Sequence, residues 1–431
     1  MKHTIVALFL ICTTTLFGQN FVLDSLTPKF GHLINFEANT FKMAESSPTF
    51  QQFFAKMDSI YSGKKQKLHI FHIGGSHIQA DIYSNKIRTY LQNTNTVSQG
   101  QRGFVFPYHL AHTNNPSNYQ IKATKSKWQG YRSSIRKDRI AWGLAGITAA
   151  FRAQSDTIYV TSNYRNYTKQ PYEFNKLRVF YNTWKSDYNL TVLNPDLVVS
   201  DTLNLDKMYR EFRFNKLIDE VAFCLELKDS THTDAEFALM GMEFMNDDEG
   251  IEYTSIGVNG GSFAYFNRAA YFEKQLQLYT PDLFIISLGT NDAYMPKSEF
   301  DAEKFRAYYE AFILMIQRAN PNCAILLTVP NDDYYQRKIP NPNTATQQNV
   351  IMELTKKYNM AVWDVYDIMG GLGSSNKWYQ NKLMPKDRIH FTQLGYSLKA
   401  DLFMEAFISA WAQSTHRNKA ELLKHYKTLN E

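Results

Sequence analysis

Cysteine is scarce, with three residues in 431. One of them, Cys12, sits inside the leading apolar run. The other two, Cys224 and Cys323, allow at most one bridge and exclude a cysteine-built zinc site. Nothing in the sequence links them, so they read as two free, buried thiols. An excess of one charge is also lacking: 47 basic residues barely outnumber 41 acidic ones. No contiguous basic run occurs that would make a nucleic-acid arm, so nucleic acid is not an expected partner. There is no fixed-period repeat and no low-complexity tract. Beyond the first residues, no apolar stretch approaches the ~18 residues of a membrane helix, so no membrane span is expected.

What is present suits a large folded core. Hydrophobic residues make up 44% and aromatics 15%, including 27 Tyr and 30 Phe. Such richness favours extensive buried surface or exposed aromatic platforms, without choosing between them. Residues 1–19 read as an export signal: Lys2 opens it, Ile5 to Cys12 form the apolar run, and Phe17-Gly18-Gln19 is the cleavage region. Ile11 before Cys12 is too large for a lipoprotein signal. The expected location is therefore periplasmic or extracellular.

Periodicity divides the chain. Phe50, Phe53, Phe54, Met57 and Ile60 predict an amphipathic helix over 46–62. The apolar run 67–73 predicts a buried strand. It ends at Gly74-Gly75-Ser76, after which Ile78, Ile82, Ile87 and Leu91 predict one helix. Farther on, strands at 282–288, 324–329 and 361–366 alternate with helices at 301–319, 344–358 and 393–412. That alternation implies βαβ units and a parallel sheet. The middle differs. Seven short β-like runs between 156 and 245 recur about every ten residues, which is a β-sandwich signal. The expected organisation is a signal at 1–19, an α/β domain in two parts (20–115 and 249–415), an all-β insert at 116–248 and a helical tail at 416–431. The tail reads as a packed or solvated end.

Four local patterns carry chemistry. Ser76 lies where a strand turns into a helix, whose unpaired N–H groups and dipole favour negative charge. Serine there is also a preferred helix cap. Gly257-Val-Asn-Gly-Gly261 is a loop whose N–H groups can approach a ligand closely, or simply a turn. Ser287-Leu-Gly-Thr-Asn-Asp292 puts Asn291 and Asp292 at the carboxyl end of a strand, where open α/β sheets bind ligands. Asp387-Arg-Ile-His390 sets a carboxylate three residues from an imidazole, a spacing that can orient the ring. Asp229-Ser-Thr-His232 has the same spacing but falls between insert strands, far from any βα turn, and reads as a decoy.

In this order the four patterns resemble the blocks of the SGNH (GDSL-type) hydrolases. The resemblance rests on Gly74-Gly75-Ser76, Gly260, Gly289-Thr290-Asn291-Asp292 and Asp387 with His390, followed by His390-Phe-Thr-Gln-Leu-Gly-Tyr396. It covers about 65–110 and 250–412. It implies a flavodoxin-like three-layer α/β/α domain carrying the inserted all-β sandwich. It also implies a triad of Ser76 as nucleophile, His390 as base and acid, and Asp387 as orienter. The implied oxyanion donors are the N–H groups of Ser76 and Gly260 and the amide of Asn291, with no metal or cofactor required. One departure stands out: Gly75 replaces the Asp that normally precedes the nucleophile, so the turn is expected to be looser or held differently.

The 184 residues between Ser76 and Gly260, together with Gly100-Gln-Arg-Gly-Phe-Val-Phe106, resemble bacterial peptidoglycan O-acetylesterases. Those enzymes deacetylate the 6-hydroxyl of N-acetylmuramic acid and carry a sandwich similar to carbohydrate-binding modules. The expected function is a secreted serine esterase on an O-acetylated polysaccharide or peptidoglycan. The competing readings are a glycan-binding protein with a decayed site, an O-acetyltransferase, and an esterase for another acetylated polysaccharide. His77 and Asp292 are read as substrate contacts, with packing as the alternative for His77. Tyr159, Tyr164, Tyr167, Tyr172 and Trp184 could stack on sugars, although most strand aromatics are core.

Overall fold

The computed structural model describes residues 27–44, 47–125 and 127–428. The export signal expected at 1–19 lies outside them, as do the last residues of the tail. The scaffold is a six-stranded sheet. In chain order its elements are β1 (Phe41–Met43), α1 (Pro48–Tyr61), β2 (Lys67–Gly74), α2 (Ser76–Gln79), α3 (Tyr83–Gln92), β3 (Gly250–Gly257), β4 (Leu283–Ser287), α4 (Ala302–Ala319), β5 (Ala324–Val329), α5 (Asn343–Lys357), β6 (Ala361–Asp364), α6 (Gln393–Thr415) and α7 (Lys419–Thr428). The strand order is β1-β6-β5-β4-β2-β3. Every pairing is parallel except that of β1 with β6.

Both faces of this sheet are covered, as a parallel sheet requires. On one face Phe53, Phe54, Phe403, Phe407 and Trp411 from α1 and α6 pack over Leu68, Ile70 and Ile285. Leu422 and Tyr426 of α7 join that core, so the tail is packed down. On the other face Phe71 and Phe284 stack 5.1 Å apart. They share one apolar cluster with α4, α5 and the aromatic interior of the insert.

The insert is two antiparallel sheets. One has seven strands, in spatial order 198–204, 209–218, 174–181, 237–245, 147–151 and 128–132, with 103–105 also paired to 237–245. The other has four: 120–123, 155–161, 220–227 and 188–192. Contacts such as Phe212–Phe223 at 5.2 Å and Phe151–Tyr188 at 5.9 Å bridge the two layers. Cys224 and Cys323 are both free thiols. Among the aromatics read as possible sugar platforms, Tyr172 is buried, while Tyr159, Tyr167 and Trp184 are exposed. Trp184 stacks on Tyr271 of the α/β half, 5.6 Å away.

Three expectations need correction. The helix expected from Ser76 onward is two helices, broken at Asp81, which takes a left-handed φ of 46°. The break turns the Asp81 carboxylate inward, where it accepts from Arg88 (3.0 Å), Arg102 (3.2 Å), Asn118 (2.7 Å), Ser84 (2.6 Å) and Ser255 (2.8 Å). Second, β3 has no counterpart among the expected strands. It is buried but carries Glu252, Thr254 and Ser255, whose polarity masks the strand pattern. Their partners are other buried groups: Glu252 meets Lys67 at 3.1 Å and His69 at 3.4 Å. Third, the strand expected over 361–366 ends at Asp364, whose carboxylate accepts from Asp367 N–H and caps the short helix Val365–Met369.

The Asp81 cluster joins α2, α3, β3 and the entry to the insert through one buried carboxylate. Burial alone would raise its pKa, but Arg88 and then Arg102 outweigh that and hold it well below the usual carboxylate range. A carboxylate depressed in this way stabilises the fold above its unfolded pKa of about 4, and the contribution is lost as pH falls below that. Arg88→Met is therefore expected to cost about 3 kcal/mol or more at pH 7. Urea titration should find the gap from wild type narrowing toward pH 3; an undiminished gap would contradict the assignment.

Candidate active site

Strand β2 lies between β3 and β4, with Gly74 in register with both Gly257 and Ser287. The three strands therefore end at one level, and the loops bearing Ser76, Gly260 and Asn291 emerge side by side. The turn after β2 needs glycine. A Cβ on Gly74 would fall 2.3 Å from the Ile78 side chain and 2.8 Å from the Ser287 carbonyl oxygen. Ser76 is thereby placed at the first position of α2.

The Ser76 hydroxyl lies 2.8 Å from His390 Nε2, across 314 positions of sequence. His390 Nδ1 lies 2.8 Å from Asp387 Oδ2. The other carboxylate oxygen, Oδ1, accepts from the N–H groups of Ile389 (2.9 Å) and His390 (3.2 Å). Burial pushes the Asp387 carboxyl up. The His390 hydrogen bond and these two N–H groups outweigh it and bring the pKa down to about 2. An ionised carboxylate only accepts, so Nδ1 carries the ring proton and Nε2 is free to accept from the serine hydroxyl. Arg388 takes a left-handed φ of 53° that lets this turn close. Its guanidinium holds the conformation by donating to Asn376 and to the Arg337 carbonyl while lying over the rings of Tyr334 and Tyr379.

On the opposite side of Ser76 the loop 257–261 presents Gly260 at φ 78°, a conformation suited to glycine. Gln79, one helical turn after Ser76, fixes this loop. Its Oε1 accepts from Asn259 N–H at 2.8 Å, and its Nε2 donates to Thr113 Oγ1 and the Asn114 carbonyl. The insert contributes Ser134, whose hydroxyl donates to the Asn259 carbonyl at 3.0 Å. Asn291 Nδ2 donates to the Gly261 carbonyl at 2.9 Å, which leaves its second N–H for another acceptor. A Cβ on Gly75 would lie 3.3 Å from that same amide nitrogen. Asn291 thus packs closely on the bare backbone of Gly75. The loops are held by Gln79, Thr113 and Ser134. From the sequence Gln79 reads as an ordinary helix-start residue, and Thr113 and Ser134 carry no signal of this role. The spacing of Gln79 from Ser76, one helical turn, is the one signal that could have found it.

The two residues read as substrate contacts sit differently. His77 is buried, shares a 2.9 Å hydrogen bond with Tyr396, and packs 5.2 Å behind the His390 ring. Burial, then Lys399 and His390, keep it neutral. Its place is packing behind His390. Asp292 accepts from Phe263 N–H at 3.1 Å, fixing the next loop, and burial pushes its carboxyl up to about 8. His232 of the decoy pattern pairs with Asp187 at 3.2 Å within the insert, away from these loops. From Asn291 an open cleft of about 850 Å³ leads away between the two halves of the chain, walled in part by Trp142, Tyr265, Phe300 and Tyr308. Among the described residues no helix is long and apolar enough to cross a membrane.

Residues 242–398 match the GDSL-like lipase/acylhydrolase family model. Among curated proteins none matches. A solved peptidoglycan O-acetylesterase is similar in fold over 86% of this chain and 99% of its own, with a TM-score of 0.68 at 18% identity. A GDSL-like lipase from Bacteroides thetaiotaomicron aligns over 37% of this chain and 76% of its own, with 16% identity and a TM-score of 0.28.

The relay makes a reactivity prediction. Ser76 is expected to be labelled by a fluorophosphonate. Asp387→Asn, which lets the ring adopt the wrong tautomer, should slow labelling by about 10³-fold or more. Equal rates in the two proteins would contradict the relay.

Proposed function

We propose that the chain is a hydrolase of the SGNH, GDSL-like type, and within that type an exported serine esterase that removes O-acetyl groups from peptidoglycan. The observation that carries the chemistry is the continuous relay Ser76–His390–Asp387, with both links at 2.8 Å. In the reaction His390 Nε2 takes the hydroxyl proton as Ser76 Oγ attacks the acetyl carbonyl. The oxyanion is met by the N–H groups of Ser76 and Gly260 and by the spare amide N–H of Asn291, and each such donor contributes about 10²–10³ in rate. Collapse expels the sugar hydroxyl, which takes its proton from His390. Water, activated by the same imidazole, then releases acetate from acyl-Ser76.

The substrate rests on different support. The likeness in fold extends through the β insert to a protein described as a peptidoglycan O-acetylesterase. The open cleft with aromatic walls suits a polymer better than a deep acyl-chain tunnel. An extracytoplasmic location follows from the substrate and agrees with the N-terminal pattern of Lys2 and the apolar run Ile5 to Cys12.

The test compares acetate release from O-acetylated peptidoglycan and from acetylated xylan. Wild type is expected to act on the wall polymer, and Ser76→Ala to lose about 10⁴-fold or more. Release from xylan alone would move the substrate and keep the mechanism. Full activity in Ser76→Ala would sink the mechanism.

A further inference from the structure

The cleft beside Asn291 receives a loop from the β insert, Arg132-Ser-Ser-Ile-Arg-Lys-Asp-Arg139, with four cationic residues and one acid. The acid is already engaged, since the Asp138 carboxylate accepts from Arg132 N–H at 2.9 Å and closes the loop on itself. Arg268, from the catalytic half, braces it. Its guanidinium donates to the carbonyls of Ser133 (2.7 Å), Ile135 (3.2 Å) and Asp138 (2.8 Å) and lies 4.8 Å over the Trp142 ring. Ser134 ties the same loop to Asn259, next to Gly260. The loop is therefore rigidly indexed to the candidate oxyanion donors, although it belongs to the other half of the chain.

Two side chains of this loop, Arg136 and Arg139, line the cleft and are exposed. Arg139 donates through Nη1 to the carbonyls of Arg136 and Asp138. Its remaining N–H groups, and the whole Arg136 guanidinium, are in no ion pair among the described residues. Across the cleft stand Glu299, Asp301 and Lys304. Asp301 accepts from Lys304 N–H as the cap of α4. The opposite wall is thus of mixed charge, and the insert wall is cationic.

We propose that Arg136 and Arg139 form an anion subsite that reads a carboxylate carried by the acetylated glycan, so that the insert sets substrate selectivity beside the reacting serine. The proposal rests on the serine-esterase reading above and deepens it. A guanidinium matches a carboxylate through two parallel hydrogen bonds. Here both guanidiniums stand on a braced loop, so little backbone ordering accompanies capture. N-acetylmuramic acid supplies such a group in two ways: its lactyl carboxyl, or the peptide built on that carboxyl. Both share the chemistry required.

The experiment uses the full exported chain. Its substrates are O-acetylated peptidoglycan fragments, intact or with carboxylates capped as amides. Wild type is expected to prefer the uncapped fragment by about tenfold or more in kcat/KM, mainly through KM. In the double variant Arg136→Gln/Arg139→Gln that preference should fall to about one, and its dependence on ionic strength should flatten. A third fragment, stripped of peptide, separates the sources: a retained preference marks the lactyl carboxyl, and a lost one marks the peptide. An active wild type indifferent to capping, or a variant that keeps the preference, would overturn the subsite alone. A wild type that releases acetate from none of the fragments would remove the esterase reading and the subsite with it.

Discussion

The hydrogen bond from Ser76 to His390 constrains everything around it. It joins residues 314 positions apart at 2.8 Å, so both ends must be fixed independently. At one end, strand β2 is buried on both faces and stops at a glycine that no other residue can replace without meeting Ile78 and the Ser287 carbonyl. At the other, Asp387 uses one oxygen to close its own turn and the other to aim the imidazole. One carboxylate thus sets both backbone shape and ring tautomer.

The β insert is part of this constraint. Its interior is continuous with one face of the parallel sheet. Among its contacts with the α/β half are those of Asn118 with buried Asp81, Trp184 on Tyr271, Arg268 on the loop 132–139, and Ser134 on Asn259. The last contact bears on chemistry, because Asn259 precedes Gly260. The loop that carries Gly260 is thus held from both sides, by Gln79 of the α/β half and by Ser134 of the insert.

Legibility from sequence follows the range of each interaction. The alternation of apolar strands and amphipathic helices is local, and it located β2, β4, β5, α4, α5 and α6 to within a few residues. The patterns holding Ser76, Asn291, Asp387 and His390 were legible as well: the first two stand just after strand ends, and the last two just before the final long helix. Strand β3 was hidden, because Glu252, Thr254 and Ser255 break its apolar pattern and are satisfied only by Lys67, His69, Arg88 and Asp81 from elsewhere. Gln79, Thr113 and Ser134 were hidden for the same reason. Their importance lies in which backbone they hold, and that is decided by tertiary placement. For His77 the sequence left substrate contact and packing open, and the fold buries it behind His390, hydrogen-bonded to Tyr396.

The central claim is that Ser76 becomes transiently acylated. Turnover on O-acetylated peptidoglycan, stopped in acid within the first catalytic cycles and followed by mass spectrometry of the peptide bearing Ser76, tests this most directly. The account predicts an acetyl group on Ser76 that disappears once substrate is exhausted. Acetate release with no acyl group on Ser76 at any time would contradict it.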